Sequence, residues 1–262
     1  MTISLGLMMF PALMILIFIG FPVAFSLFGV AVLFGYIRFG DVLVHQLIAK
    51  VDDVASYYVL SAVPLFIFMG CMLEKSGVSE KLFEAVHLVT RKLPGGLAIA
   101  TVVLCVFFAA ASGVVGAAES VVGLMVISVM LRHGYDKGLI SGTICAGGSL
   151  GTIIPPSVVV VILSPIAGVG VGNLFVGIMF PGLILAGLYI VYILLRCSIW
   201  PEDGPSVDNG ESYGSIASQT WVVFSSLVPL FGLIFSVLGT IMLGWATPTE
   251  AGAMGAIGTI IL

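Results

Sequence analysis

Charged residues are so sparse along this chain that they work as punctuation between apolar blocks. Residues 3–37 carry none, and Gly20-Phe21-Pro22 interrupts them. Proline lacks a backbone N–H and breaks or bends a helix, so this block predicts two short spans, or one span with a bent partner. Residues 38–53 mix Arg38, Asp41, Lys50, Asp52 and Asp53 with apolar positions, the pattern of a helix lying at a membrane interface. Residues 54–73 form one apolar block closed by Glu74-Lys75. Such a block matches the roughly 20 residues that a spanning helix needs. Over 76–92, Leu82, Phe83, Val86 and Val89 recur at helical spacing, with Lys81, Glu84, Arg91 and Lys92 between or beside them. That predicts a second amphipathic surface helix.

Further along, the apolar blocks lengthen. Residues 93–131 hold one charge, Glu119, and residues 138–195 hold none. The latter block has room for two spans and a turn, placed at Gly168-Val169-Gly170-Val171-Gly172-Asn173. Residues 198–220 are polar, with Glu202, Asp203, Asp208 and Glu211 beside Pro and Gly, a loop in water. Residues 221–243 predict another span, and Ala246 onward begins one more. Lys and Arg concentrate in the connections at 74–92, 132–137 and 196–220. If 93–131 enters the membrane and returns to the same side, these connections share one face, the cytoplasmic one by the positive-inside rule. Arg38 and Lys50 then fall on the opposite side.

Composition sharpens this picture. The chain has 262 residues, 60% hydrophobic and 8% charged, against about 25% charged in soluble domains. With a mean hydropathy of +1.25, most of its surface must face lipid or other spanning helices. The fold class is therefore an all-α membrane protein, and a water-soluble enzyme is excluded. Cys71, Cys105, Cys145 and Cys197 are far apart and form no CxxC pair, so they read as small apolar residues. His45, His87 and His133 have no spaced ligand partner, which gives no transition-metal site. No Ser/His/Asp or Cys/His set sits at a plausible membrane depth.

Three segments carry candidate chemistry. Ala109-Ala110-Ala111-Ser112-Gly113-Val114-Val115-Gly116 lies midway between Lys92 and Arg132. A re-entrant hairpin with its tip at Ser112-Gly113 through Gly116 fits, as do two full spans packed on a Gly/Ala face. In a hairpin, the tip carbonyls and the Ser112 hydroxyl would be open to a hard cation such as Na⁺, since irregular backbone at membrane depth is tolerated only inside protein or beside water. In Gly147-Gly148-Ser149-Leu150-Gly151-Thr152-Ile153-Ile154-Pro155-Pro156-Ser157, two adjacent prolines cannot continue a helix. The result is either a broken helix, the usual binding element of transporters, or a simple kink. No Lys follows the glycines, so this is not a phosphate-binding loop. Glu119 is the one ionisable residue well inside an apolar block. It serves transport directly, sits near an interface, or pairs with Arg132 or another subunit. Thr247-Pro248-Thr249-Glu250 reads as a helix start with a capping box.

Ala111-Ser112-Gly113, Arg132-His133-Gly134-Tyr135, Gly147 through Ser157, Pro181-Gly182 and Ala246-Thr247-Pro248-Thr249-Glu250-Ala251 together resemble the large membrane subunit (the M subunit, or DctM-like permease) of tripartite ATP-independent periplasmic (TRAP) transporters, over essentially the whole chain. The resemblance implies a multi-span helical transporter with a re-entrant hairpin and a broken helix, one repeat of an inverted-repeat elevator fold. It implies a multi-pass permease of the bacterial inner membrane that imports a small organic acid; the alternative reading of the residues is a channel or structural membrane scaffold subunit without its own solute site. Its partners would be a small membrane (Q) subunit and a periplasmic solute-binding protein, with Na⁺ as coupling ion, no other cofactor, and no nucleic acid. Carried over, the Na⁺ ligands are Ser112, Gly113, Gly151, Ile154 and Pro156, with Pro155 and Ser157 close to substrate. Where many members have further serines after the Ser-Gly, this chain has Val114-Val115, which leaves backbone ligation at the tip. The family has two such repeats. This chain holds one hairpin and one broken helix, so the expectation is a fragment or a split subunit. The resulting division is 1–53 N-terminal spans and interfacial helix; 54–92 span and surface helix; 93–197 hairpin, broken helix and following span; 198–220 cytoplasmic loop; 221–262 span and start of the second repeat.

Overall fold

In the computed structural model the protein is described over residues 2–113, 115–206 and 227–262, and among these it is helical with no strand. Two compact units form, Met1–Tyr58 and Val59–Leu262. In the first, α1 (Thr2–Ile19) and α2 (Val23–Phe39) are separated at Gly20-Phe21-Pro22, and α3 (Val42–Ala55) follows. Gly20 takes a left-handed φ of +101° and Pro22 precedes the first turn of α2, so the chain reverses where the sequence placed the interruption. Gly35 of α2 lies against Leu43 of α3, where a Cβ would come within 2.8 Å of a Leu43 methyl.

The second unit begins with a 3-10 turn (Tyr58–Ser61) leading into α4 (Ala62–Lys75). Next comes α5 (Val78–Thr90), whose Leu82 and Ala85 are fully buried and whose Phe83 and Val86 are nearly so. This apolar face packs on α6 (Gly96–Ser112), so it covers protein. Val89, expected on the same face, is exposed.

α6 is the centre of the unit. Leu97, Ala98, Ala100, Val102 and Leu104 are completely buried, and α4, α5, α7 (Val115–Arg132), α8 (Lys137–Ile153) and α10 (Val171–Ile199) pack around it. After α8 the chain breaks and resumes as α9 (Val158–Ala167). The turn to α10 is shorter than expected: Gly168 takes φ +65° and the helix restarts at Val171. Tyr58–Lys75 and Val171–Ile199 are each long and apolar enough to cross a membrane, and α8 with α9, bent by 41° at the break, meets the same length and composition together, as a broken span or a re-entrant loop. α11 (Leu227–Met242) includes a π turn at Phe235–Gly239. α12 (Pro248–Ile261) starts with the expected capping box: Thr247 Oγ1 accepts from the Glu250 amide, and the Glu250 carboxylate accepts from the Thr247 amide at 2.8 Å. Residues 207–220 of the expected polar loop and 221–226 of the expected span lie outside the described residues.

Candidate cation and solute site

The site is held from two ends. At the base, the start of α6, the α7–α8 turn and the end of α10 are tied together. Tyr135 is almost fully buried and its hydroxyl accepts from the Leu97 amide at 3.2 Å. Asp136 caps α8 by accepting from the Leu139 amide at 3.0 Å. Arg196 donates to Asp203 at 2.9 Å and to the Tyr192 hydroxyl at 3.2 Å, and lies 3.6 Å from Asp136. The Gly95 amide donates to the Gly204 carbonyl and the Asp136 amide to the Asp203 carbonyl, both at 3.0 Å. Burial pushes the Tyr135 hydroxyl up to about 12, so it stays a neutral acceptor. Sequence reading missed this knot; the one available signal was Asp136 standing just before an apolar helix.

From that base α6 and α7 run to a common tip, and α8 runs beside both. α6 ends at Ser112, followed by Gly113 at φ +63°, a conformation that L-side chains rarely adopt. Gly113 is packed directly on the break in the α8–α9 span. A Cβ there would overlap the Pro156 carbonyl oxygen and stand 3.4 Å from Ser157 Cα. The Val158 amide donates to the Gly113 carbonyl at 3.4 Å. Both arms of the hairpin thus begin at the face where α8 begins, and their tip meets α8 where it breaks, inside the span. This arrangement fits the re-entrant hairpin expected for 93–131.

The break follows from the prolines. In an α-helix the Gly151 and Thr152 carbonyls would accept from residues 155 and 156, but Pro155 and Pro156 have no N–H to give. Ile154 makes the last bond, to the Leu150 carbonyl at 2.8 Å, and turns extended. Ile154, Pro155, Pro156 and Ser157 are all buried, so the break itself is enclosed by protein. Ser149 and Thr152 donate their hydroxyl protons back into the helix, at 2.7 and 2.8 Å. Ser157 does not: it is fully buried, precedes α9 without making a side-chain cap, and its Oγ has no hydrogen-bond partner.

Of the expected residues, the structure brings Gly113, Pro156 and Ser157 together, with Ser112 one residue before the tip and Gly151 in the last turn of α8. The Ile154 side chain points elsewhere, toward Gly182 of α10, where a Cβ would stand 3.1 Å from both Ile153 and Ile154. Gly182 therefore packs α10 closely against the end of α8, a role that its place beside Pro181 in an apolar run did not announce. Glu119 lies on α7 against Gly148 of α8.

A hairpin tip resting on an interrupted span, inside a unit of apolar helices, defines a helical membrane transporter. The sequence agrees with that class. Residues 10–262 match the family "Tripartite ATP-independent periplasmic transporter, DctM component", and the chain belongs to that family, one of transporters and not of enzymes. It is 34% identical over 242 residues to the C4-dicarboxylate TRAP transporter large permease protein DctM of Vibrio cholerae, covering 91% of this chain and 51% of that protein. It is 34% identical over 216 residues to the protein of the same description in Pseudomonas aeruginosa, covering 82% and 48%. To the isethionate TRAP transporter permease protein DctMQ of Oleidesulfovibrio alaskensis it is 30% identical over 247 residues, covering 93% and 37%. The chain thus spans about half the length of the first two relatives.

Proposed function

We propose that this chain is the N-terminal part of a Na⁺-driven permease of the bacterial inner membrane, one that imports a small organic acid delivered by a periplasmic binding protein, with a small membrane subunit as scaffold. C4-dicarboxylate in the names of two relatives supports the substrate class, and the combined name DctMQ of a third supports the small partner. The coupling cation sits between the hairpin tip and the break. The observation that carries this reading is the fully buried, unpartnered Ser157 hydroxyl beside the Gly113–Pro156 contact. A buried hydroxyl without a partner costs about 1–3 kcal/mol. A small hard cation relieves that cost using the same hydroxyl and the carbonyls that Pro155 and Pro156 leave unbonded, since such ions take oxygen ligands. The set is Ser112, Gly113, Gly151, Ile154 and Pro156, with Ser157 added from its position. The start of α9, where Pro155 and Ser157 stand, faces the substrate carboxylate through its positive helix end.

The test is Ser157→Ala in the full-length permease with its partner subunit, read as the Na⁺ concentration that half-saturates uptake. A rise of about tenfold, 1.4 kcal/mol, is expected with little change at saturating Na⁺. A variant with the parental Na⁺ dependence removes Ser157 from the site.

A further inference from the structure

We infer that Glu119 is the counter-charge of the coupling cation: its carboxylate, seated on Gly148, raises cation affinity at the hairpin tip without ligating the ion. The inference rests on the cation site proposed above. A ligand set of carbonyls and hydroxyls is neutral, so a cation held there inside the membrane brings an uncompensated charge, which is costly at low dielectric. Glu119 is the one charged residue between Lys92 and Arg132.

Three observations place it for this role. Glu119 stands in the first turns of α7, which begins at Val115, so it lies about 6 Å along the axis from the start of that arm at 1.5 Å per residue. It rests on the broken helix: a Cβ at Gly148 would overlap the Glu119 side chain, and at the adjacent Gly147 a Cβ would stand 2.7 Å from Cys105 Sγ. Two neighbouring glycines of α8 thus make room for a carboxylate from α7 and a thiol from α6. Gly148 is itself about 7–8 Å along α8 from Ile153, so the carboxylate stands on the order of 10 Å from the tip.

Among the described residues Glu119 makes no ion pair. The ion pairs among the described residues are Lys50–Asp53, Arg196–Asp136 and Arg196–Asp203. Arg132 is on the same helix but about 20 Å along it. A carboxylate at membrane depth without a basic partner is a functional feature by default. At roughly 10 Å and an effective dielectric near 20, a unit charge changes the affinity for a monovalent cation on the order of tenfold.

The experiment uses the full-length permease with its partner subunit and reads the Na⁺ concentration for half-maximal thermal stabilisation of the purified protein, alongside that for uptake. Glu119→Gln keeps the shape and removes the charge. The expected result is a roughly tenfold rise in both half-saturation values, with the melting temperature in choline unchanged. Glu119→Asp retains the charge and is expected to stay within about twofold of the parent. Gly148→Ala leaves the charge but evicts the side chain from α8. It gives a second reading, an affinity loss of the same direction, should the Gln variant not fold. Parental Na⁺ half-saturation in Glu119→Gln overturns the inference, as does a melting temperature lowered in choline with Na⁺ affinity intact, which would make the carboxylate structural. Ser157→Ala, measured in parallel, separates the two claims. A shift there with none in Glu119→Gln defeats the counter-charge alone, whereas no Na⁺ stabilisation of the parent defeats the cation site.

Discussion

Gly113→Ala is the sharpest structural perturbation of the site. The residue sits at φ +63°, and an L-residue in that conformation costs about 1–2 kcal/mol. The new methyl would overlap the Pro156 carbonyl oxygen, so the hairpin tip must withdraw from the break. Withdrawal loses the 3.4 Å bond from the Val158 amide to the Gly113 carbonyl and leaves both groups short of a partner, about 1–3 kcal/mol more. The penalty is thus about 2–5 kcal/mol, and it falls on the arrangement in which tip and break meet. Because the proposed cation needs that arrangement, even the lower bound of about 2 kcal/mol predicts a roughly 30-fold loss of Na⁺ affinity. Na⁺-dependent thermal stabilisation of the full-length permease measures it. Gly142→Ala is the control: it lies on the same α8, a Cβ there meets nothing within 4 Å, and its expected effect is a gain of about 0.5–1 kcal/mol in stability with unaltered Na⁺ dependence. If Gly113→Ala bound Na⁺ like the parent, the tip–break contact would not be part of the ion site.

Tyr135→Phe leaves the Leu97 amide, buried at the base of α6, without an acceptor and should cost about 1–3 kcal/mol, read as a lower melting temperature; no change would mean that the base knot holds without this bond. His87 is held below its ordinary value of 6.5 by burial first, then by the charges of His133 and Arg91. A depressed folded value means that the neutral ring stabilises α5 above about pH 6.5 and that this is lost as pH falls through the lower folded value. Hydrogen-exchange protection in residues 78–90, corrected for the intrinsic pH dependence of exchange, should therefore fall as pH drops below about 6.5, and His87→Phe should flatten that response; an unchanged response in the variant would refute it. The 262-residue chain alone should not accumulate solute, because carriers of this kind place their site between two repeats and the described residues hold one hairpin and one broken helix. Gradient-coupled uptake by this chain in proteoliposomes would contradict that.

Much of the architecture was legible because membranes impose hard chemical limits on sequence. The adjacent prolines fixed the break, since neither can donate the helical bond to the carbonyls of Gly151 and Thr152. Gly20-Phe21-Pro22 separated the first two helices, and Thr247 through Glu250 announced a helix start. The hairpin was harder: composition alone left two spans open, and the meeting of Gly113 with Pro156, which fits a hairpin tip, lies between segments too distant to be read from sequence. What sequence could not give was contact between distant segments. Gly182 closing on Ile153 and Ile154, Arg196 bridging Asp136 and Asp203, and Gly148 seating Glu119 depend on which helix faces stand together. In apolar helices with little amphipathic signal, that facing leaves no periodic trace. Val89 shows the limit from the other side, since a residue at the right spacing is exposed.

The central claim, that the tip and the break form the ion site of a Na⁺-coupled permease, is tested most directly by solute uptake into proteoliposomes. These would contain the full-length protein with its small subunit and binding protein. An inward Na⁺ gradient should drive accumulation, and replacing Na⁺ by K⁺ at the same membrane potential should abolish it. Accumulation that proceeds equally well with K⁺ would contradict the account.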